Sequence, residues 1–132
     1  MARPYLGGSN AGVMTVTAAT TLTVADSGKT IFIDQDAAYS ITLPSTQLGL
    51  EYTFILTDAG SNEVKIDGGA ANKIKGFSMD PTVDINLVDN NLLIIYDSLA
   101  VVGDYVRLVS DGSVWWCTSF SSATNGILGG NS

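Results

Sequence analysis

Three features of the 132-residue sequence predict an all-β fold, a single antiparallel sandwich. Apolar and polar residues alternate with period 2 in several short runs, most clearly between Asp26 and Asp58. Clusters of Gly, Asn, Asp and Ser separate these runs about every eight to twelve residues, the spacing of sandwiches and barrels. No stretch repeats its apolar residues at the 3.6-residue period of an amphipathic helix. Side chains on a strand point alternately to opposite faces, so each alternating run reads as a half-buried strand.

Taken in order, Val13–Thr17 and Thr21–Val24 are rich in β-branched residues, which suit a pleated surface. The Asp26-Ser27-Gly28 turn opens a strand over Lys29–Asp34. Asp34-Gln35-Asp36 forms the next turn, and Ala38–Leu43 follows until Pro44 removes a ladder donor. Glu51–Thr57 alternates cleanly, as do Val64 and Ile66 with Glu63, Lys65 and Asp67, where Gly68-Gly69 stops the run. Asn72–Lys75 is short and ambiguous. Val83, Ile85 and Leu87 alternate with Asp84 and Asn86, and Leu92–Tyr96 is the next strand. Tyr105–Val109 and Val114–Ser119 are joined through Asp111-Gly112, a strong hairpin signal. The inward positions predict a core of Ile31, Ile33, Ile41, Leu43, Tyr52, Phe54, Leu56, Val64, Ile66, Ile85, Leu87, Val106 and Leu108.

Leu92-Leu93-Ile94-Ile95-Tyr96 is apolar at every position, so both faces of this strand call for burial. Either a loop covers it, or its outward side chains lie in a subunit interface. Each fully buried Leu or Ile is worth roughly 1.5–3 kcal/mol, enough for two or three of them to drive association. Leu93 and Ile95, with one of Trp115 and Trp116, are the candidates for that interface.

The two ends read alike. Residues 1–12 hold an apolar pair, Tyr5-Leu6, among glycines, Pro4 and Asn10. Residues 121–132 hold Ile127-Leu128 within a Gly/Ser/Asn stretch. Both are expected to be flexible arms that dock onto a neighbour through Tyr5, Leu6, Ile127 and Leu128. Residues 13–120 are then the folded domain.

Only 14% of residues are charged, against an average of about 25%. The net charge of −7 and the scattering of six Lys and Arg leave no basic stripe for phosphates, which argues against nucleic-acid binding. Cys117 is the only cysteine and, beside Trp116 in a strand, reads as a small buried hydrophobe. No apolar run reaches the ~18 residues of a membrane span. The start MARPYLGGSNAG lacks an apolar signal-peptide region, so a chain made in the cytoplasm and not exported is expected.

The sequence contains no histidine, which removes the usual general base and the commonest transition-metal ligand. Gly28-Lys29-Thr30 resembles the end of a phosphate loop, but position 23 is Thr and a strand follows. Asp26, Asp34, Asp36, Asp58, Asp67, Asp104 and Asp111 all fall at strand ends or turns, where Asp bonds nearby backbone amides. No spacing approaches a Ca²⁺ loop. No catalytic residue, metal or cofactor is therefore expected. Trp115 and Trp116 point to opposite faces of one strand; a ring left exposed can stack on a sugar.

The strings ADSGKTIFID, ITLP and GLEYTFI, with VVGDYVRLVSDGSVWW as a closing hairpin, resemble small structural proteins of tailed bacteriophages. Such proteins decorate the head as capsid decoration (cement) proteins, or recur as β-modules elsewhere in the virion. The resemblance implies a non-enzymatic, jelly-roll-like sandwich that acts as a homotrimer on the outer capsid surface. Its partner would be the major capsid protein, whose neighbouring capsomers it bridges against genome pressure. Three linked contacts, each modest, would multiply into high avidity. The alternative is a receptor- or carbohydrate-binding module of a tail or head fibre.

Overall fold

The computed structural model describes residues 12–69, 73–82 and 84–131. The strands are β1 (Val13–Val16), β2 (Thr20–Thr21), β3 (Thr30–Asp34), β4 (Tyr39–Thr42), β5 (Glu51–Asp58), β6 (Val64–Asp67), β7 (Ile74–Met79), β8 (Asp84–Asn90), β9 (Leu92–Ile95), β10 (Tyr105–Ser110), β11 (Trp115–Phe120) and β12 (Ile127–Gly130). A 3₁₀ turn at Val24–Asp26 takes the end of the strand expected over Thr21–Val24. The strands form two packed layers: a seven-stranded sheet in the order β1-β3-β5-β10-β11-β7-β8, and a five-stranded sheet in the order β12-β9-β6-β4-β2.

The all-β sandwich expected from the alternation is thus present, but its pairing is not that of an antiparallel jelly roll. Five ladders among the described residues are parallel (β1/β3, β3/β5, β2/β4, β4/β6 and β7/β11). Five are antiparallel. From β1 to β6 the chain crosses from one sheet to the other after every strand. It winds as a short parallel coil, odd strands in one layer and even strands in the other. From β9 onward it returns antiparallel, β9 beside β6 and β10 beside β5. Alternation cannot distinguish these pairings, because period 2 belongs to parallel and antiparallel strands alike.

The corner after β3 shows how the winding is held. Gln35 is fully buried there. Its Nε2 donates to the carbonyls of Ile95 (3.2 Å) and Tyr96 (3.0 Å), and its Oε1 accepts from the Gly60 amide (3.2 Å). Its own carbonyl accepts from Asn62 Nδ2 at 3.0 Å. A Cβ on Gly60 would lie 2.5 Å from that carbonyl oxygen, so only glycine fits the approach.

The core lies between the layers. All the inward residues named from alternation are buried except Ile85, which is half-buried against the cluster. Val16, Leu22, Leu50, Ile74, Leu93, Ile95, Trp115 and Ile127 join them. The Tyr52 and Trp115 rings pack with centroids 5.7 Å apart, a tilted aromatic contact. Beside Trp115, Cys117 is 3% exposed, and burial pushes its thiol up to about 12, so it is an inert apolar group. The ambiguous Asn72–Lys75 segment belongs in part to β7, which runs on to Met79. Gly76 interrupts its pattern at a register shift, with φ +123° and no room for a Cβ against the Cys117 carbonyl.

The expected C-terminal arm is corrected. Ile127–Gly130 pairs antiparallel with β9, in register from Ile127↔Ile95 to Gly130↔Leu92. Ile127 is 1% exposed, inside the chain's own core, so it does not anchor a neighbour. Side-chain ends pack close to these glycines: a Cβ on Gly129 would lie 2.6 Å from Leu87 Cδ2, and one on Gly130 2.8 Å from Ile94 Cδ1, so a larger residue would make those side chains shift.

Candidate functional site

The residues proposed for contact with other molecules separate sharply. Tyr5 and Leu6 lie outside the described residues. Leu93 and Ile95 are 0% and 2% exposed and point into the sandwich, so neither can line a subunit interface. The all-apolar strand is explained by its position: β9 lies between β6 and β12, with Ile94 opposite Lys65 and Leu128. Leu128 is half-buried in that pairing. Trp115 is the core ring, at 0% exposure, and Trp116 is the outward one, at 48%.

Trp116 opens onto a surface that sequence alternation did not assemble, because doing so requires the register between strands. On the outer face of the seven-stranded sheet, Phe32, Ile55, Tyr105, Phe120 and Met79 are direct cross-strand neighbours in that order. They form one apolar row across β3, β5, β10, β11 and β7. Tyr105 and Phe120 stack at 6.3 Å with an interplanar angle of 21°. Opposed aromatic and aliphatic pairs of this kind each contribute roughly 0.2–1 kcal/mol to the sheet. The next row places Phe77 beside Thr118, and the one beyond sets Trp116 between Val109 and Lys75. Among the described residues Phe77, Trp116 and Phe120 are the most open aromatic rings, at 54%, 48% and 40%.

The β9–β10 loop extends this surface. Gly103 donates to the Leu56 carbonyl at 2.8 Å, which holds the loop beside the end of β5, next to Ile55. Val101 and Val102 at its tip are exposed. The loop is tied from below by Asp104, 2% exposed. One of its carboxylate oxygens accepts from the Val101 amide (2.9 Å) and Ser121 Oγ (3.0 Å). The other accepts from the amide and hydroxyl of Ser122, both at 2.9 Å.

Charge is sparse on this face. Arg107 Nη2 lies 3.3 Å from Glu51 Oε2 across β10 and β5, and Lys75 stands on β7. Asp34 and Asp58 sit together at the corner where β3 and β5 end. In register, Asp84 on β8 stands opposite Met79, and Asp111 accepts from Trp116, so acidic residues border the apolar row.

Trp116 is held rather than loose. Its Nε1 donates to Asp111 Oδ2 at 2.8 Å, while Asp111 Oδ1 accepts from the Ser113 and Val114 amides at 2.8 and 2.9 Å. The Val114 amide, then the indole and the Ser113 amide, hold the Asp111 carboxyl below the usual carboxylate range. The Asp111-Gly112 hairpin thus positions an open aromatic ring.

Asp26 and Asp67 serve their own turns. Asp26 accepts from the Thr23 amide and from Lys29, and its carboxyl is lowered by those bonds in that order. Asp67 accepts from the Gly69 amide. Two shallow depressions have volumes of about 230 Å³ each. One is lined by Leu43, Pro44, Thr46 and Lys73, the other by Tyr39, Ser40, Glu63 and Lys65. Neither brings two carboxylates together, which hydrolysis by a carboxylate pair would require. Comparison of the chain with protein-family models, curated proteins and solved structures gave no match.

Proposed function

We propose that this chain is a non-enzymatic structural protein of a phage particle, of the capsid decoration type. It binds the outer head surface and bridges capsomers, with the major capsid protein and further copies of itself as partners; the resemblance implies a homotrimer. The apolar row Phe32–Ile55–Tyr105–Phe120–Met79 is the observation that carries this reading. An extended, weakly charged sheet face suits contact with another protein better than it suits chemistry on a small substrate. The sequence resemblance supplies the class of particle, and the row supplies a surface that such a role needs.

A second reading rests on Trp116. A half-exposed indole fixed by Asp111 is a ready stacking platform, as a carbohydrate-binding module of a tail or head fibre would use.

Gold-labelled antibody against the purified chain, applied to virions in the lysate of its source, tests both. Label spread over heads is the expected result; label confined to fibres would favour the second reading, and unlabelled particles would refute both. In parallel, capsular glycans should leave the tryptophan fluorescence of the chain unchanged. Saturable quenching that is lost in Trp116→Ala would mark a glycan site.

A further inference from the structure

We propose that β1, the free edge of the seven-stranded sheet, pairs antiparallel with β1 of a second copy of this chain. A two-fold axis at Met14 relates the copies. The inference goes beyond the decoration role and stands whether or not the chain binds a head. It leaves the apolar row on the outer face uncovered.

The direction of the backbone groups is the first argument. The Thr30 amide donates to the Gly12 carbonyl at 2.8 Å. Alternate residues of a parallel strand face the partner strand, so Gly12, Met14 and Val16 turn their backbone groups to β3. Val13 and Thr15 turn theirs to the open side. In the other layer the Leu22 amide donates to the Thr42 carbonyl at 2.8 Å, so Thr21 of β2 also faces the open side. Proteins blunt such edges with charge, proline or a covering element. From Gly12 to Ala25 the sequence has no charged residue and no proline. At the opposite edge β8 is tied to β12, with Asn90 Nδ2 donating to the Gly130 carbonyl at 3.5 Å.

Register identifies the occupant. A two-fold axis at Met14 sets Val13 opposite Thr15 of the second copy, and Thr15 opposite Val13 of the second copy. Each pair exchanges two hydrogen bonds, so an identical strand satisfies every outward group of Val13 and Thr15. Met14 then meets Met14 of the second copy as the close, non-hydrogen-bonded pair. The core is unfinished at this position. Along the same ladder Ile31 and Phe54 are 0% exposed, whereas Met14, at the open end, is only half-buried. The same axis brings β2 beside β2 of the second copy, so both layers continue across the junction. A lone strand of an unrelated protein would cover one of these two edges and leave the other open.

Size sets the strength of the contact. Four residues at about 3.4 Å each, and two layers about 10 Å apart with their outer side chains, give roughly 300 Å² per copy. A stable contact takes roughly 800 Å² from each partner, so this pairing is weak and concentration-dependent. A homotrimer closes by head-to-tail contacts, and the edge junction would join two such rings or two single chains.

Introduced thiols read the register. Non-hydrogen-bonded partners have Cα atoms about 4.5 Å apart, within reach of a disulfide. Met14→Cys, oxidised mildly at about 100 μM, should therefore give a covalent dimer on a non-reducing gel. The buried Cys117 does not compete. Val13→Cys alone should give at least tenfold less dimer, because Val13 faces Thr15 and not its own equivalent. An equimolar mixture of Val13→Cys and Thr15→Cys should cross-link. Val13→Pro tests the backbone without thiols, and also serves if Met14→Cys misfolds. Proline is tolerated at the first residue of an edge strand, so near-ultraviolet circular dichroism should show an unchanged fold, while the pairing loses two of its donors. By light scattering at about 1 mM, the native chain should have a higher mean mass than Val13→Pro. A folded Met14→Cys chain that gives no dimer would overturn the proposal. So would an equal yield from Val13→Cys alone, or equal masses for the native and Val13→Pro chains.

Discussion

Gln35 sits buried at the corner between the layers, and every polar atom of its side chain has a backbone partner. Gln35→Ala would leave the Gly60 amide without its acceptor and remove one donor from the Ile95 carbonyl and one from the Tyr96 carbonyl, which keeps the Ala100 amide. Unsatisfied buried groups cost about 1–3 kcal/mol, so chemical denaturation should show a loss of that size with an unchanged m-value. A loss below about 0.5 kcal/mol would mean that water replaces the side chain. The role of Gln35 was not legible: between Asp34 and Asp36 it reads as part of an exposed polar turn, and only the far contact with β9 reverses that. The inward aliphatic positions were legible, because alternation within one strand is a local property. The tryptophans were half legible. Alternation puts the two rings on opposite faces, but which ring is buried depends on which face of β11 meets the second sheet.

At the scale of elements, the same limit decided which strands could be read. β3, β4, β5, β10 and β11 carry β-branched and aromatic residues between recognisable turns, and the Asp111-Gly112 hairpin joins the strands expected. β12 could not be read, because Ile-Leu-Gly-Gly has no alternation and its two glycines are depleted in strands. It is a strand because β9 offers an edge, and its glycines let the side-chain ends of Leu87 and Ile94 pack close to the backbone. The element and the expected arm make opposite predictions on truncation. Removal of residues 125–132 should expose β9 and take Ile127 out of the core, lowering the unfolding midpoint by at least 5 °C. Removal of residues 1–11 retains the Gly12 carbonyl that accepts from Thr30, and should leave that midpoint unchanged while weakening attachment to a capsid. A C-terminal deletion without thermal effect would show that β12 is a peripheral strand. Unaltered capsid occupancy after the N-terminal deletion would remove Tyr5 and Leu6 from the contact.

For the whole molecule, the sandwich was legible and its winding was not. Period 2 fixes which side chains share a face, whereas the crossing of β1 to β6 between layers is a matter of corners and long-range pairing. The candidate surface shares that origin. Phe32, Ile55, Tyr105, Phe120 and Met79 are far apart in the chain, and none stands out until the register lines them up. The apolar row on the outer sheet face is what supports the proposal that this molecule works by contact. If that contact bridges capsomers, its consequence is mechanical and can be read on the particle. The measurement is the temperature at which genome-filled heads release their DNA, with and without saturating amounts of the purified chain. The account expects the chain to raise that temperature, and expects Phe120→Ser to lose the effect while remaining folded. Heads that release DNA at the same temperature with the chain bound, or that do not bind it, would contradict the account.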